Sequence, residues 1–169
     1  VPATPLLSSL SADDLARVTA LLKLKAFREG EQLFHAGEAA QFFGVVLEGR
    51  LKVAIPHSER WPGTSAGDRG KLQEWRLLHQ GDVVGEMALF SGLVRTAAAW
   101  ALSPGWLGIL PFAALDAIPT ALAEQVRTQL AGIAMTRLGE NQNHPRNAAS
   151  RAAARARAPS TAPASRSAP

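Results

Sequence analysis

Glycine residues recur at short intervals through the first third of the chain, at Gly30, Gly37, Gly44 and Gly49. From Phe27 onward the apolar residues follow a period close to two, which is the repeat of a half-buried strand. Short strands joined by glycine turns predict a β-sandwich or β-barrel. The chain has 169 residues, 47% of them hydrophobic, which suits one domain of this kind and argues against a multidomain enzyme.

Six segments carry the strand pattern, and they span residues 32–35, 42–48, 51–55, 74–79, 97–102 and 105–110. Between the third and the fourth segment, residues 56–73 contain three glycines, two prolines and charges of both signs. This composition predicts a long, exposed hairpin loop.

Helical patterns flank the predicted strands. Ser11 precedes two acidic residues and an apolar face, so we predict a helix from Ser11 to about Lys25. After the strands, a short helix is predicted at residues 112–117 and a longer one from Thr120 to about Asn141. The longer helix carries an apolar stripe of Leu122, Val126, Leu130, Ile133 and Leu138. The predicted fold class is therefore mainly β with flanking helices.

Positive charge is concentrated at the C-terminal end. Residues 1–140 hold 13 Lys and Arg against all 14 Asp and Glu, whereas residues 141–169 hold five Arg and no acid. The net charge of +4 is therefore the sum of −1 for residues 1–140 and +5 for residues 141–169. Residues 142–169 are predicted to be a disordered tail rich in Arg, Ala and Pro, because such a composition buries too little apolar area to offset backbone entropy. This tail either binds polyanions weakly or acts only as a solubilising segment.

The composition excludes several classes of site. The chain has no Cys, which excludes disulfides, thiolate metal sites and thiol nucleophiles. The four His lack metal-ligand spacing and no Ser-His-Asp constellation stands out, so we expect no metal, no cofactor and no catalytic residue. The sequence has neither a run of 18 apolar residues nor a signal-peptide pattern, which predicts a soluble, cytoplasmic chain without a membrane partner.

The most informative segment is residues 85–99, where a Gly-Glu pair opens a short helical turn and Arg95 precedes a predicted strand. Backbone N–H groups at the start of such a turn can face a phosphate. The Arg95 side chain adds a forked, charge-assisted contact to the same group. Glu86 can accept a hydrogen bond from a ribose hydroxyl. The segment therefore predicts a small site with one arm for an anion and one for a hydroxyl.

This segment closely resembles the phosphate-binding cassette of cyclic nucleotide-binding domains, in which Gly-Glu-x-Ala-Leu, a spacer and Arg-Thr-Ala or a near variant follow one another. The matching residues are Gly85, Glu86, Ala88, Leu89, Arg95, Thr96 and Ala97. The resemblance covers about residues 10–141. It implies a jelly-roll-like β-roll, or double-stranded β-helix, over about 27–110, with an N-terminal helix before it. It also implies C-terminal hinge or lid helices over about 111–141, in one ligand-binding domain of residues 1–141.

The resemblance implies a role for each matching residue. Arg95 would pair with the exocyclic oxygens of a cyclic phosphate, and Glu86 would hold the ribose 2′-hydroxyl. Thr96 would add a hydroxyl toward the phosphate or the base. Backbone groups around the ligand would come from Gly85, Met87, Ala88 and Ala97. On the last helix, the base would be capped by Thr136 or Arg137.

The function predicted from these residues is that of a receptor domain for cAMP or cGMP, not an enzyme. It would signal to an unknown downstream protein by moving its C-terminal helix. A bacterial-looking bias toward Ala and Arg favours cAMP, whereas Thr96 is compatible with either base. The alternative is a ligand-free scaffold on the same fold that forms a homodimer through the C-terminal helix. A third reading is nucleic-acid association through the tail. We expect no sequence-specific DNA binding, because no helix-turn-helix follows the last helix.

Overall fold

The computed structural model describes residues 6–56 and 72–143, and the chain divides into two units, Val1–Ala134 and Met135–Pro169. The strands are β1 Lys23–Phe27, β2 Gln32–Phe34, β3 Phe42–Glu48, β4 Leu51–Pro56, β5 Leu72–Leu78, β6 Val83–Val84, β7 Ala98–Ala101 and β8 Gly105–Pro111. The α-helices are α1 Ala12–Ala20 and α2 Thr120–Asn143, and two short 3-10 helices are Glu86–Phe90 and Phe112–Ala117.

Within the described residues, the strands form two four-stranded antiparallel sheets. The first has the order β1-β8-β3-β6 and the second has the order β2-β7-β4-β5. Strands that are adjacent in a sheet are mostly distant in sequence, since β8 lies between β1 and β3 while β4 lies between β7 and β5. This interleaving of two sheets is the topology of a jelly-roll-like β-roll. The predicted fold class, mainly β with flanking helices, is confirmed.

All six predicted strands are present, each within two residues of its predicted bounds. The 3-10 helix at residues 112–117 and helix α2 also begin where the sequence predicts them. Strand β6 has only two residues, which is too short for a periodic pattern to reveal, and it forms by pairing with Gly44 and Val45 of β3. The predicted loop at 56–73 lies almost entirely outside the described residues, and so does all but the first two residues of the predicted tail at 142–169.

The predicted extension of the N-terminal helix to Lys25 is wrong. Helix α1 has the expected start, where the Ser11 hydroxyl accepts a hydrogen bond from the Asp14 N–H at 3.2 Å, but it ends at Ala20. Residues 23–27 instead form β1, which pairs along its whole length with β8 from Lys23 opposite Ile109 to Phe27 opposite Gly105. Pairing with β8 satisfies backbone groups of both strands, and this tertiary gain overrides the local helical pattern.

Two buried clusters lie on opposite faces of the first sheet. Because successive residues of a strand point to opposite faces, Val45 joins the cluster under the helices while Val46 joins the cluster between the sheets. Helix α2 contributes most of the predicted stripe to the first cluster, through Leu122, Val126 and Leu130, with Ile133 packed against it. In the second unit, Leu138 is 40% exposed and does not continue the buried stripe.

We predict that Leu107→Ala lowers the free energy of unfolding by about 3 kcal/mol, because Leu107 is fully buried and its removal leaves a cavity between the sheets. The matched control is Leu24→Ala on the neighbouring strand β1, where the side chain is 68% exposed and the expected change is within about 0.5 kcal/mol. Urea denaturation measures both. Equal losses for the two variants would contradict the assignment of the inner face.

Candidate functional site

The segment that carries the predicted site is a tight, irregular connection between β6 and β7. It opens at Gly85, whose φ of 82° is in the left-handed region, and continues as the 3-10 helix Glu86–Phe90. Gly92 and Leu93 both have positive φ, 71° and 59°, and turn the chain back so that the Leu93 N–H donates to the Ala88 carbonyl at 2.8 Å. These turns bring the end of the segment back toward its beginning.

A serine hydroxyl stabilises this segment through hydrogen bonds to the segment's own backbone. The Ser91 Oγ donates toward the Val94 carbonyl at 2.8 Å and lies 3.1 Å from the Met87 carbonyl. A hydroxyl bonded to the local backbone stabilises a turn that has no regular ladder of its own. Ser91 is thus a structural residue of the segment, although it is not among the predicted site residues.

A short antiparallel ladder fixes the backbone of Arg95. The Arg95 N–H donates to the Glu38 carbonyl at 2.9 Å, and the Gly37 N–H donates to the Arg95 carbonyl at 2.8 Å. One step further along, the Ala40 N–H donates to the Leu93 carbonyl at 2.8 Å. The connection between β2 and β3 therefore holds the Arg95 main chain from one side, and the position of its Cα depends on two segments that are far apart in sequence.

The Arg95 side chain is buried, with only 2% of its surface exposed. Its Nη1 donates to the Gly85 carbonyl at 3.3 Å. The guanidinium carbon lies 4.1 Å from the ring centroid of Phe34 and 4.5 Å from that of Phe42. Among the described residues, the Nε–H has no hydrogen-bond partner. The guanidinium is therefore held by two rings and one carbonyl, and at least one of its donors is unused.

Burial lowers the pKa of Arg95 to about 10, because removal from water disfavours the charged form. The negative charges of Glu38 and Glu86 oppose this effect and favour the cation. Arg95 therefore stays protonated at neutral pH. Glu86 is itself buried, with 1% of its surface exposed, so the site combines a buried cation with a nearby buried carboxylate.

The structure brings together part of the predicted site. Gly85 and Arg95 are in direct contact, and Glu86 acts on Arg95 through its charge. Met87 and Thr96 are half-buried, and the small residues Ala88 and Ala97 are buried next to them in the chain. Thr136 is exposed and Arg137 is buried, and both belong to the second unit, Met135–Pro169. Their predicted role as a base cap stays a prediction.

Phe34 and Phe42 contact the guanidinium but are not among the predicted site residues. Both lie in predicted strands, Phe34 in β2 and Phe42 in β3, and these strands belong to different sheets. No spacing in the chain relates residues 34, 42 and 95 to one another. The one local pattern is an aromatic residue at the end of each of two strands that flank the Gly37-Glu38 pair. This pattern does not predict that either ring contacts an arginine.

Two other kinds of site are absent from the described residues, 6–56 and 72–143. No group of three His, Cys, Asp or Glu side chains is arranged to hold a metal ion there. In the same part of the chain, no helix combines the length and the hydropathy that crossing a bilayer requires. His57 and His144 lie outside the described residues.

Comparison with known proteins gives a consistent result. The family model described as "Cyclic nucleotide-binding domain" matches residues 24–119. The chain is 34% identical over 101 residues to the cGMP-dependent protein kinase, isozyme 1, of Drosophila melanogaster, a match that covers 60% of this chain and 12% of the kinase. The chain thus spans about an eighth of that relative's length.

Solved structures show the same fold. The catabolite activator protein of Thermus thermophilus aligns with a TM-score of 0.68 and 24% identity over 81% of this chain and 59% of that protein. A cyclic nucleotide-binding domain from Methylobacillus flagellatus aligns with a TM-score of 0.68 and 18% identity over 83% of this chain and 78% of that domain. Because these identities are below 25%, the two alignments show that the fold is shared and show nothing about ligands.

We predict that Gly85→Ala lowers the free energy of unfolding by about 1 kcal/mol more than Gly92→Ala does. Both glycines have positive φ, so both variants carry backbone strain. Only at Gly85 would the new Cβ overlap the Arg95 Nη1, whereas the space at Gly92 is open. Chemical denaturation measures the difference. It should vanish in an Arg95→Met background, and persistence there would show that the contact with Arg95 is not its cause.

Proposed function

This chain belongs to the cyclic nucleotide-binding domain family, and we propose that it is a receptor for a cyclic mononucleotide, cAMP or cGMP. The observation that carries the proposal is the buried guanidinium of Arg95, which stays charged and contacts Gly85 at the opening of the 85–97 segment. In this proposal the chain makes and breaks no covalent bond. It acts as a binding domain without cofactor, and the cyclic nucleotide is its ligand.

Arg95 recognises the phosphate in this proposal. A cyclic phosphate carries one negative charge on two exocyclic oxygens, and a planar guanidinium matches such a group with paired N–H donors. Backbone N–H groups of the segment add to the contact, and the small side chains of Ala88 and Ala97 allow the ligand to approach the main chain. The lowered pKa of about 10 still leaves Arg95 cationic over the physiological range.

Glu86 recognises the ribose in this proposal. Its carboxylate lies close enough to Arg95 to favour the charged guanidinium, which supports a single site that contains both groups. A carboxylate accepts hydrogen bonds only, so it pairs with the 2′-hydroxyl of a ribose and distinguishes it from a deoxyribose. Thr96 adds a hydroxyl next to the phosphate or the base.

The choice of base involves residues outside the 85–97 segment. The name of the Drosophila relative states that the kinase depends on cGMP, which supports cGMP as a ligand of this chain. The Ala and Arg bias of the sequence favours cAMP. We propose that Thr136 or Arg137 of α2 caps the base, so the choice depends on how α2 meets the bound nucleotide.

Ligand binding and movement are coupled in this proposal. Only 2% of the Arg95 surface is exposed, so phosphate contact requires local opening around the guanidinium. A ligand that binds the rearranged state better shifts the population toward it. We propose that the rearrangement reaches α2, and that α2 conveys it to a downstream protein.

A second candidate function is a ligand-free scaffold that dimerises through α2. It is favoured by one observation, the exposure of two apolar side chains near the end of α2. Met135 is 70% exposed and Leu138 is 40% exposed. A contiguous exposed apolar patch is typical of a surface that packs against a partner, and Met135 and Leu138 are neighbours on the helix because they are three positions apart.

We predict that isothermal titration shows micromolar or tighter binding of cAMP or cGMP, and that Arg95→Gln weakens it at least tenfold, because the variant loses the charged contact to the phosphate. The matched control is Arg50→Gln, since Arg50 is an exposed arginine outside the site. Its affinity should stay within about twofold of the wild type. Unchanged affinity in Arg95→Gln would refute the role of Arg95.

The same titration with 2′-deoxy-cAMP or 2′-deoxy-cGMP tests Glu86. The wild type should bind the deoxy ligand about tenfold more weakly, because a buried acceptor loses its partner. In Glu86→Ala the deoxy and ribose ligands should bind alike. A deoxy ligand that binds the wild type as tightly as the ribose form would exclude a 2′-hydroxyl contact.

Hydrogen exchange separates the receptor from the scaffold. For the receptor, the nucleotide should slow backbone exchange in residues 85–97 and in α2, because binding couples the two. For the scaffold, exchange should not respond to either nucleotide. The chain should then sediment as a dimer that Met135→Glu dissociates. Protection confined to residues 85–97 would contradict signalling through α2.

A further inference from the structure

The two rings that contact the Arg95 guanidinium come from different sheets. Phe34 is buried at the end of β2 in the second sheet, and Phe42 is half-buried at the start of β3 in the first sheet. Their centroids lie 4.1 and 4.5 Å from the guanidinium carbon. We propose that Phe34 and Phe42 are positioning residues that clamp the Arg95 guanidinium for the ligand, an inference that rests on the proposed function.

A clamp of two rings holds a guanidinium without consuming its donors. An aromatic ring attracts a cation that lies over the face of the ring and offers it no lone pair, and both ring centroids lie within 4.5 Å of the guanidinium carbon. A clamp of carboxylates would occupy the N–H groups and neutralise the charge. Here the Gly85 carbonyl takes one donor of Nη1, and the Nε–H has no partner in the described residues. The clamp thus leaves the positive charge and at least the Nε–H donor for an anion.

The backbone around the clamp is fixed as well. Residues 34–42 run from one ring to the other, and the middle of this stretch is the ladder partner of residues 93–95. Gly37 and Glu38 bond to the Arg95 main chain, while Phe34 and Phe42 contact its side chain. One nine-residue stretch therefore restrains Arg95 from its Cα to its guanidinium.

The benefit for binding is pre-organisation. A free arginine side chain has many rotamers, and a ligand that orders it loses affinity. In this chain folding has already ordered Arg95. Removing one ring should leave the charge present but less well oriented, so affinity should fall although the residue that contacts the phosphate is unchanged.

The first test needs no ligand. In a ¹H–¹⁵N spectrum of the full chain, the Arg95 Nε–H signal is identified by its loss in Arg95→Lys. We expect slow solvent exchange and a ring-current shift for this signal. In Phe42→Leu the exchange should be faster and the shift smaller, because only the ring of Phe34 remains. The control is Phe27→Leu. Phe27 belongs to the buried cluster between the sheets, as Phe34 does, and Phe42 packs against that cluster, but the Phe27 ring lies beside Gly49 and Gly105. Fast exchange in the wild type, or an unchanged signal in Phe42→Leu, would overturn the clamp.

The second test measures affinity by titration with cAMP and cGMP. Phe42→Leu should weaken the binding of the preferred nucleotide about tenfold, and Phe27→Leu should change it less than about twofold. In an Arg95→Lys background, where no planar cation remains to be oriented, Phe42→Leu should cost less than about threefold. An equal loss in both backgrounds would show that Phe42 acts independently of Arg95 and would overturn the inference.

The two tests separate the inference from the function on which it rests. If the wild type binds neither nucleotide, the receptor function is refuted, and the spectrum still decides whether the rings order Arg95. If the wild type binds and Phe42→Leu retains both the signal and the affinity, the receptor function stands and the clamp is refuted.

Discussion

The site is organised around one buried positive charge. Water stabilises an arginine cation strongly, and at Arg95 almost all of that water is replaced by protein. The replacement is incomplete, as the pKa lowered to about 10 shows, yet two carboxylates, two aromatic rings and one carbonyl keep the side chain charged at neutral pH. A charge kept at this cost suits a site for an anion, because an anion supplies the compensation that the protein lacks.

Arg95 lies in a short connection between strands, and the two sheets hold this connection in place. The two sheets and the helices bury separate apolar clusters, which provide rigidity away from the site. Between β6 and β7 the chain forms one short 3-10 helix and then a turn at Ser91, Gly92 and Leu93 that reverses its direction. The ladder to residues 37–40 then ties this segment to the sheets. The sheets fix where the segment lies, and the segment carries the charged side chains of Glu86 and Arg95.

Particular residues show how far sequence reasoning reaches. The six predicted strands were found because alternation with period two is a local property of each strand. The helix predicted to Lys25 ends at Ala20 because β1 gains hydrogen bonds from β8, a partner 78 to 86 residues away along the chain. The residues of the 85–97 segment were found through their local motif, and the contact between Gly85 and Arg95 agrees with it. Phe34 and Phe42 were missed because their contact with Arg95 arises only when two sheets come together.

The amino-acid sequence by itself determined the fold class, most element positions and the residue types of the candidate site, since these depend on neighbours along the chain. Only the tertiary structure decided the order of the strands, the end of α1 and the environment of Arg95. The physical reason is that strand pairing and burial depend on residues distant in sequence. A motif specifies that an arginine is present, whereas its burial, its pKa and its two aromatic neighbours follow from how the sheets pack.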